Sequence, residues 1–227
     1  MNVGREMKRC CILMAAMLMV GIPEWVQAEW VSAVGGDIDH FEDAHGDFWR
    51  VHTFFAVGSN QLHVTSGGEI EYLVVAGAGG GGGARSGSDA AGGGGGGGVL
   101  TGTKNVTVGT LPVSVGAGGD GGSYNAASAS GEDSLLDAIL AIGGGRGGGV
   151  YRNGGSNIVY YALTGGSGGG GFQGTAGADG EPDQGNKGGA GRQDDNPNRS
   201  GGGRMASCTC FTKKQERATR TFPRLYR

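Results

Sequence analysis

Several residue types that usually hold a protein together are scarce in this chain of 227 residues. Of its 4 cysteines, Cys208 and Cys210 are one residue apart, which is poor disulfide geometry. The other two lie in an N-terminal apolar run at residues 10–22, so a disulfide framework is excluded. The 5 prolines, without glycine at every third position, exclude collagen. Aromatic residues make up only 7% of the chain, which argues against a large conventional core.

Glycine is the residue that the chain has in excess, at 54 positions against the ~7% of ordinary proteins. Short segments of β-type sequence separate glycine tracts that are all seven residues long. The five tracts are residues 77–83, 92–98, 116–122, 143–149 and 165–171. Because a flexible linker has no reason to keep one length, we interpret the tracts as structural elements. A disordered glycine-rich linker is the alternative.

The first 28 residues have the features of a secretory signal peptide. Basic residues precede the apolar run at 10–22, and Val26-Gln27-Ala28 provides a small-residue cleavage site. The run is shorter than the ~20 residues of a bilayer span, and no second run follows it. We therefore predict a secreted or cell-surface protein without an integral membrane span after cleavage. An uncleaved anchor is the alternative.

Charge divides the rest of the chain into two parts. Residues 29–203 carry 8 basic and 18 acidic side chains, whereas residues 204–227 carry 7 basic and 1 acidic. The acidic body argues against nucleic-acid binding. We predict a signal peptide (1–28), a glycine-rich domain (29–203) and a basic, disordered tail (204–227). The glycine-free tail is interpreted as an extension from another reading frame; a genuine tail for anionic surfaces is the alternative.

Strand patterns occupy the beginning of the domain. Residues 47–55, 61–65 and 69–76 have alternating or β-rich sequences separated by turn clusters, which predicts a β-meander. Because most of the aromatic residues lie there, we place a β-rich core at 37–76, followed by a glycine-tract region at 77–203. The aromatic residues assigned to this core are Trp49, Phe54, Phe55 and Tyr72.

Further strands are predicted between the tracts. Residues 99–116 indicate two or three strands, with Leu111, Val113 and Val115 on one face. Residues 133–142 fit either a short helix capped by Asp133 or a strand, and their position before a glycine tract favours a strand. Residues 150–163 predict a hairpin that turns at residues 153–156.

This order of motifs resembles a known family. The segments that carry the resemblance are WRVHTFF, HVTSGGEIEYLVVAGAGGGGG, GGGGGGGVLTGT, LPVSVGAGGDGG, AIGGGRGGG and GGSGGGGFQGTAGADG. They resemble the glycine-rich domain of exported bacterial proteins and phage tail adhesins, with a distant likeness to the glycine-rich domain of the anaplastic lymphoma kinase receptor. The resemblance implies an all-β fold, in which a β-sandwich-like core carries bundled polyglycine II helices. It also implies a structural or binding module.

Length and period support such a bundle. Seven residues of a polyproline-type helix span ~22 Å, close to the ~23 Å of a seven-residue strand. With three residues per turn, positions two and five of a tract share a face, and Ala117 and Asp120 occupy these positions. Arg146 and Ser167 are likewise expected to point out of the bundle. Glycine at the remaining positions allows the tracts to approach closely.

Candidate chemical sites are few. His40, Asp43, His45 and Asp47 form the only cluster of metal-ligand types, and we interpret them as a solvated hairpin around Gly46. His52 and His63 lie on separate predicted strands without a nearby nucleophile. The glycine pattern at residues 77–82 resembles a dinucleotide motif, but polyglycine cannot supply the helix that this motif needs. No catalytic, cofactor-binding or metal-binding residue is predicted, and the chain is not expected to be an enzyme.

The sequence thus predicts an exported, non-enzymatic, structural or adhesive glycine-rich module. Its expected partners are a cell-surface or glycan ligand, or copies of itself. A binding module would use loops at the tips of the tracts, predicted at residues 84–91, 123–132 and 172–198. The alternative is a flexible surface or wall linker with a basic tail for anionic surfaces.

Overall fold

The computed structural model describes residues 31–46, 48–84 and 90–192. This part of the chain is all-β, as the sequence predicted, and it contains no helix that could cross a membrane. The signal peptide and the basic tail lie outside the described residues. The strands are β1 (Ser32–Val34), β2 (Asp37–Glu42), β3 (Phe48–Thr53), β4 (Gly58–Ser66), β5 (Gly68–Val75), β6 (Val99–Val106), β7 (Gly109–Val115), β8 (Ser134–Leu136), β9 (Ile139–Ala141), β10 (Gly149–Asn153) and β11 (Ser156–Tyr160).

The largest sheet has five antiparallel strands in the order β1-β4-β7-β8-β9. The two-stranded ribbon β5–β6 pairs from Gly68↔Val106 to Val75↔Val99. Apolar residues of the ribbon and the sheet share two clusters, which gives a small two-layer core. The first cluster contains Ala33, Leu62, Val64, Val106 and Val113, and the second contains Val74, Ala76 and Ala141.

The predicted meander is wrong in its pairing, although its strands are present. β2 pairs with β3, whereas β4 pairs with β1 and β7 and leaves β5 to pair with β6. An alternating sequence identifies a strand but not the strand with which it pairs. The sequence therefore does not require that strands next to each other in the chain pair with each other. The apolar core also extends beyond residues 37–76, since Val106 and Val113 belong to it. Of the aromatic residues assigned to it, Phe55 is 77% exposed and Trp49 is 36% exposed.

The later strand predictions are confirmed in type. Residues 99–116 form the two strands β6 and β7, and residues 133–142 form the hairpin β8–β9 rather than one strand. The predicted hairpin at 150–163 is β10–β11, with Asn153 paired to Ser156. Its turn residues Gly154 and Gly155 have φ values of 56° and 91°, which a two-residue turn of this kind requires and glycine permits.

An ion pair fastens the β8–β9 turn to β6. The Nζ atom of Lys104 lies 2.9 Å from Oδ2 of Asp137, the turn residue with φ of 55°. The hydrogen bond from Lys104 holds the pKa of Asp137 below its ordinary value of 3.8. The contribution of this pair to stability is therefore fully present above pH 3.8 and is lost as the pH falls through the lower pKa of the folded state.

We predict that Asp137→Asn removes part of the acid dependence of stability while preserving the turn, because asparagine tolerates positive φ. The loss at neutral pH should be small, since exposed ion pairs contribute little. Melting temperatures measured between about pH 5 and pH 2 test this. The control is Asp39→Asn on the exposed strand β2. A wild-type pH profile in Asp137→Asn would contradict the prediction.

Backbone hydrogen bonds join the glycine tracts at every third residue. Gly92, Gly95 and Gly98 donate to the carbonyl oxygens of Gly148, Gly145 and Ile142 at 2.7–2.8 Å. The same step recurs in the donor–acceptor pairs Gly79–Gly95 and Gly82–Gly92, Gly144–Gly77 and Gly147–Gly80, Gly119–Ala78 and Gly122–Gly81, and Gly145–Ser167 and Gly148–Gly170. No glycine of the five tracts has a positive φ. This period differs from the two-residue period of a strand and equals that of a polyproline-type helix.

The tract at residues 143–149 lies at the centre of the bundle. It donates to the tracts at 77–83 and 165–171 and accepts from the tract at 92–98. All of its glycines are buried. Main-chain atoms of neighbouring segments occupy most of the space around it: an added Cβ would lie closer than 3.0 Å to a backbone atom at every glycine of the tract except Gly148, where it would meet the ring of Phe172.

Two segments predicted as binding loops belong largely to the bundle. Ala129 donates to Asp120, and Gly131 donates to the central residue Gly144. In the segment 172–198, Ala178 donates to Gly169 and accepts from Gly188. These parts are packed backbone because glycine, alanine and serine supply sites for close approach. The third predicted loop (84–91) falls mostly on residues outside the described ranges.

The outward-facing positions are confirmed in part. A Cβ atom at Gly81 or Gly96, the fifth positions of their tracts, would lie 3.9 Å or 3.8 Å from its nearest neighbour. Ser167, by contrast, is 4% exposed, and its hydroxyl accepts the Asn186 N–H, so the prediction that it points outwards is wrong. The reason is that residues 185–189 form another layer over the tract at 165–171. Arg146 is half-buried and lies against an aromatic ring.

Candidate functional site at the end of the glycine tracts

Tyr160, the last residue of β11, closes the end of the bundle. Its hydroxyl oxygen accepts the N–H of Gly83 at 2.5 Å. Cβ atoms added at Gly122 and Gly149 would lie within 3.0 Å of the same oxygen, so three tracts end around it. Tyr160 is 6% exposed. We call this region the tyrosine cap: Tyr160 together with Gly83, Gly122 and Gly149.

Two side chains pack on the ring of Tyr160. The Tyr151 ring is tilted against it at a centroid distance of 5.9 Å, because β10 and β11 place both rings on one face of the hairpin. The Cζ atom of Arg146 lies 5.3 Å from the ring centroid, within the range of a cation–π interaction. The Nε atom of Arg146 is buried and has no hydrogen-bond partner. The positive charge of Arg146 thus lies against the aromatic ring of the tyrosine cap.

Two exposed tyrosines, Tyr124 and Tyr161, lie close in the chain to residues of the tyrosine cap. Tyr124 is 48% exposed, and its backbone and hydroxyl oxygens accept hydrogen bonds from Arg152 of β10. Tyr161 is 63% exposed and lies 6.3 Å from the buried ring of Phe172. The end of the bundle therefore presents apolar rings with polar tips, the kind of side chain that is enriched at binding interfaces.

The histidine and aspartate cluster predicted from sequence lies elsewhere, on the hairpin β2–β3. His40 is on β2, and Oδ1 and Oδ2 of Asp43 accept from the backbone of His45 and from the indole of Trp49. Asp47 is outside the described residues. Among the described side chains, no three metal-ligand types come together.

The two other histidines have structural contacts. A ring nitrogen of His52 lies 2.8 Å from the carbonyl oxygen of Gly35, and one of His63 lies 2.8 Å from the hydroxyl of Thr110. The second contact crosses the paired strands β4 and β7. Sequence reasoning did not single out Tyr160; the available signal was a tyrosine pair at the end of a predicted hairpin strand.

These observations define an all-β protein in which glycine tracts, joined through their backbones, extend from a small two-layer core. A sequence model described as a glycine-rich domain matches residues 56–219, well over half of the chain. The chain belongs to this glycine-rich domain family. No curated protein and no solved structure shows significant similarity to it.

Proposed function

We propose that the protein is an exported, non-enzymatic module with a structural or adhesive function, in which polyglycine II helices form a rigid body. The observation that carries this proposal is the three-residue step of backbone hydrogen bonds between the tracts, together with their lack of positive φ. Glycine loses more conformational freedom on folding than other residues, so a regular bonding network is needed to hold it. A rigid body suits a protein that must hold one surface at a distance from another.

Resemblance supports the adhesive form of the proposal. The order of motifs resembles glycine-rich domains of exported bacterial proteins and phage tail adhesins, and Tyr124 and Tyr161 offer exposed rings beside the tyrosine cap. The expected partner is a cell-surface or glycan ligand. The acidic composition of residues 29–203 does not favour nucleic acid.

Three experiments distinguish the adhesive, structural and linker alternatives. Sedimentation over a range of concentrations detects self-association, which the structural form predicts, whereas a monomer retained on cells or immobilised glycans supports the adhesive form.

Limited proteolysis separates both of these forms from a flexible linker. A rigid module should retain a protected fragment that includes residues 48–171, whereas rapid cleavage within the glycine tracts would contradict the proposal. Deletion of residues 1–28 tests secretion, since the protein without them should remain inside the cell.

A further inference from the structure

The described residues carry six basic side chains, and Arg146 differs from the rest. Four others have polar partners: Lys104 with Asp137, Lys187 with Asp179, Arg50 with Ser32, and Arg152 with Tyr124. Arg192 also has an interaction partner. The guanidinium of Arg146 has the Tyr160 ring as a neighbour, and its Nε atom is buried without a hydrogen-bond partner in the part of the chain that the structure describes.

Burying part of the Arg146 guanidinium costs free energy unless an anion binds to it. A guanidinium removed from water without a counterion loses hydration that a cation–π contact replaces only in part. The backbone fixes the position of Arg146: its N–H donates to Oγ of Ser130, and its carbonyl accepts from Leu163. The side chain is half-buried, so it reaches the surface of the protein. A fixed, partly desolvated cation that reaches the surface has the properties of an anion-binding site.

We propose that Arg146, held on the ring of Tyr160, binds a carboxylate group of a ligand. The planar guanidinium matches a carboxylate with two parallel hydrogen bonds. Thirteen acidic and six basic side chains give the described residues a net negative charge, which repels a doubly charged phosphate or sulfate more than a singly charged carboxylate. This proposal does not depend on export or adhesion.

The test uses the full chain and sodium galacturonate at constant ionic strength, with neutral galactose as the control. Saturable binding should raise the melting temperature by about 3 °C at a galacturonate concentration about ten times Kd. Arg146→Met, which keeps the alkyl chain and removes the guanidinium, should abolish this shift. Arg50→Met should retain it, because Arg50 lies on β3, outside the tyrosine cap, and has Ser32 as a hydrogen-bond partner.

A second measurement does not depend on any variant folding. In the wild-type protein, the side-chain Nε–H resonance of Arg146 should move in a saturable manner when galacturonate or acetate is added. Stronger binding of acetate than of galacturonate would assign the site to the carboxylate alone, and the reverse would assign it to the carboxylate together with the sugar. An unchanged Arg146 resonance, or an equal thermal shift in Arg146→Met, would overturn the proposal.

Discussion

Replacing Gly95 with alanine should destabilise the protein by about 3 kcal/mol, the upper part of the range for overpacking a well-packed interior. The added Cβ would lie closer than 3.0 Å to the carbonyl oxygen of Ser167, which is backbone and cannot rotate away. Relieving this clash would separate the tract at 92–98 from that at 165–171 and strain the 2.8 Å bond from Gly95 to Gly145. The expected drop in melting temperature is about 6 °C or more.

The adjacent residue supplies a matched control. A Cβ at Gly96 would have its nearest neighbour, the Ser167 hydroxyl, at 3.8 Å, and Gly96 has no positive φ. Gly96→Ala should therefore be neutral, or stabilising by up to about 1 kcal/mol through reduced freedom of the unfolded chain. Thermal and urea unfolding of both variants give the comparison. Equal destabilisation by the two substitutions would contradict close packing between tracts.

Replacing Tyr160 with phenylalanine should cost about 1–3 kcal/mol, because the buried N–H of Gly83 loses its acceptor. The ring would stay in place against Tyr151, so the effect isolates the hydroxyl group. Urea unfolding measures the free energy, and amide exchange at Gly83 should become faster. Its neighbour Tyr161 is 63% exposed, so Tyr161→Phe should change stability little. Similar losses in both variants would show that the tyrosine cap does not depend on this hydrogen bond.

Structural elements that are determined by residues close together in the chain could be predicted from the sequence. The β10–β11 hairpin follows from two glycines between β-rich segments, and its turn has the positive φ values that glycine allows. The equal length of the tracts indicated ordered elements. Within the tract at 116–122, added Cβ atoms at Gly118 and Gly121, three residues apart, would have their nearest neighbours at 3.6 Å and 4.0 Å, which agrees with a three-residue period. The all-β class follows from the same strand-and-glycine alternation.

The neighbours of each tract were not predictable. Glycine has no side chain that distinguishes a buried face from an exposed one, and the single Arg146 does not mark residues 143–149 as the central tract. For the same reason, the sequence did not predict that Ser167 is buried or that the segments around Ala129 and Ala178 belong to the bundle. The tyrosine cap joins Gly83, Gly122, Gly149 and Tyr160, whose consecutive separations along the chain are 39, 27 and 11 residues. No local sequence pattern predicts that these residues come together.

Amide hydrogen exchange resolved by residue tests the central claim, that the glycine tracts are ordered by backbone hydrogen bonds with a three-residue step. Gly92, Gly95 and Gly98 donate to Gly148, Gly145 and Ile142 of the buried central tract and its preceding residue. We predict that these three amides exchange as slowly as those of the paired strands β4 and β7. Uniformly fast exchange across residues 92–98, at the rate of an unfolded chain, would contradict the account and leave the tracts as flexible linkers.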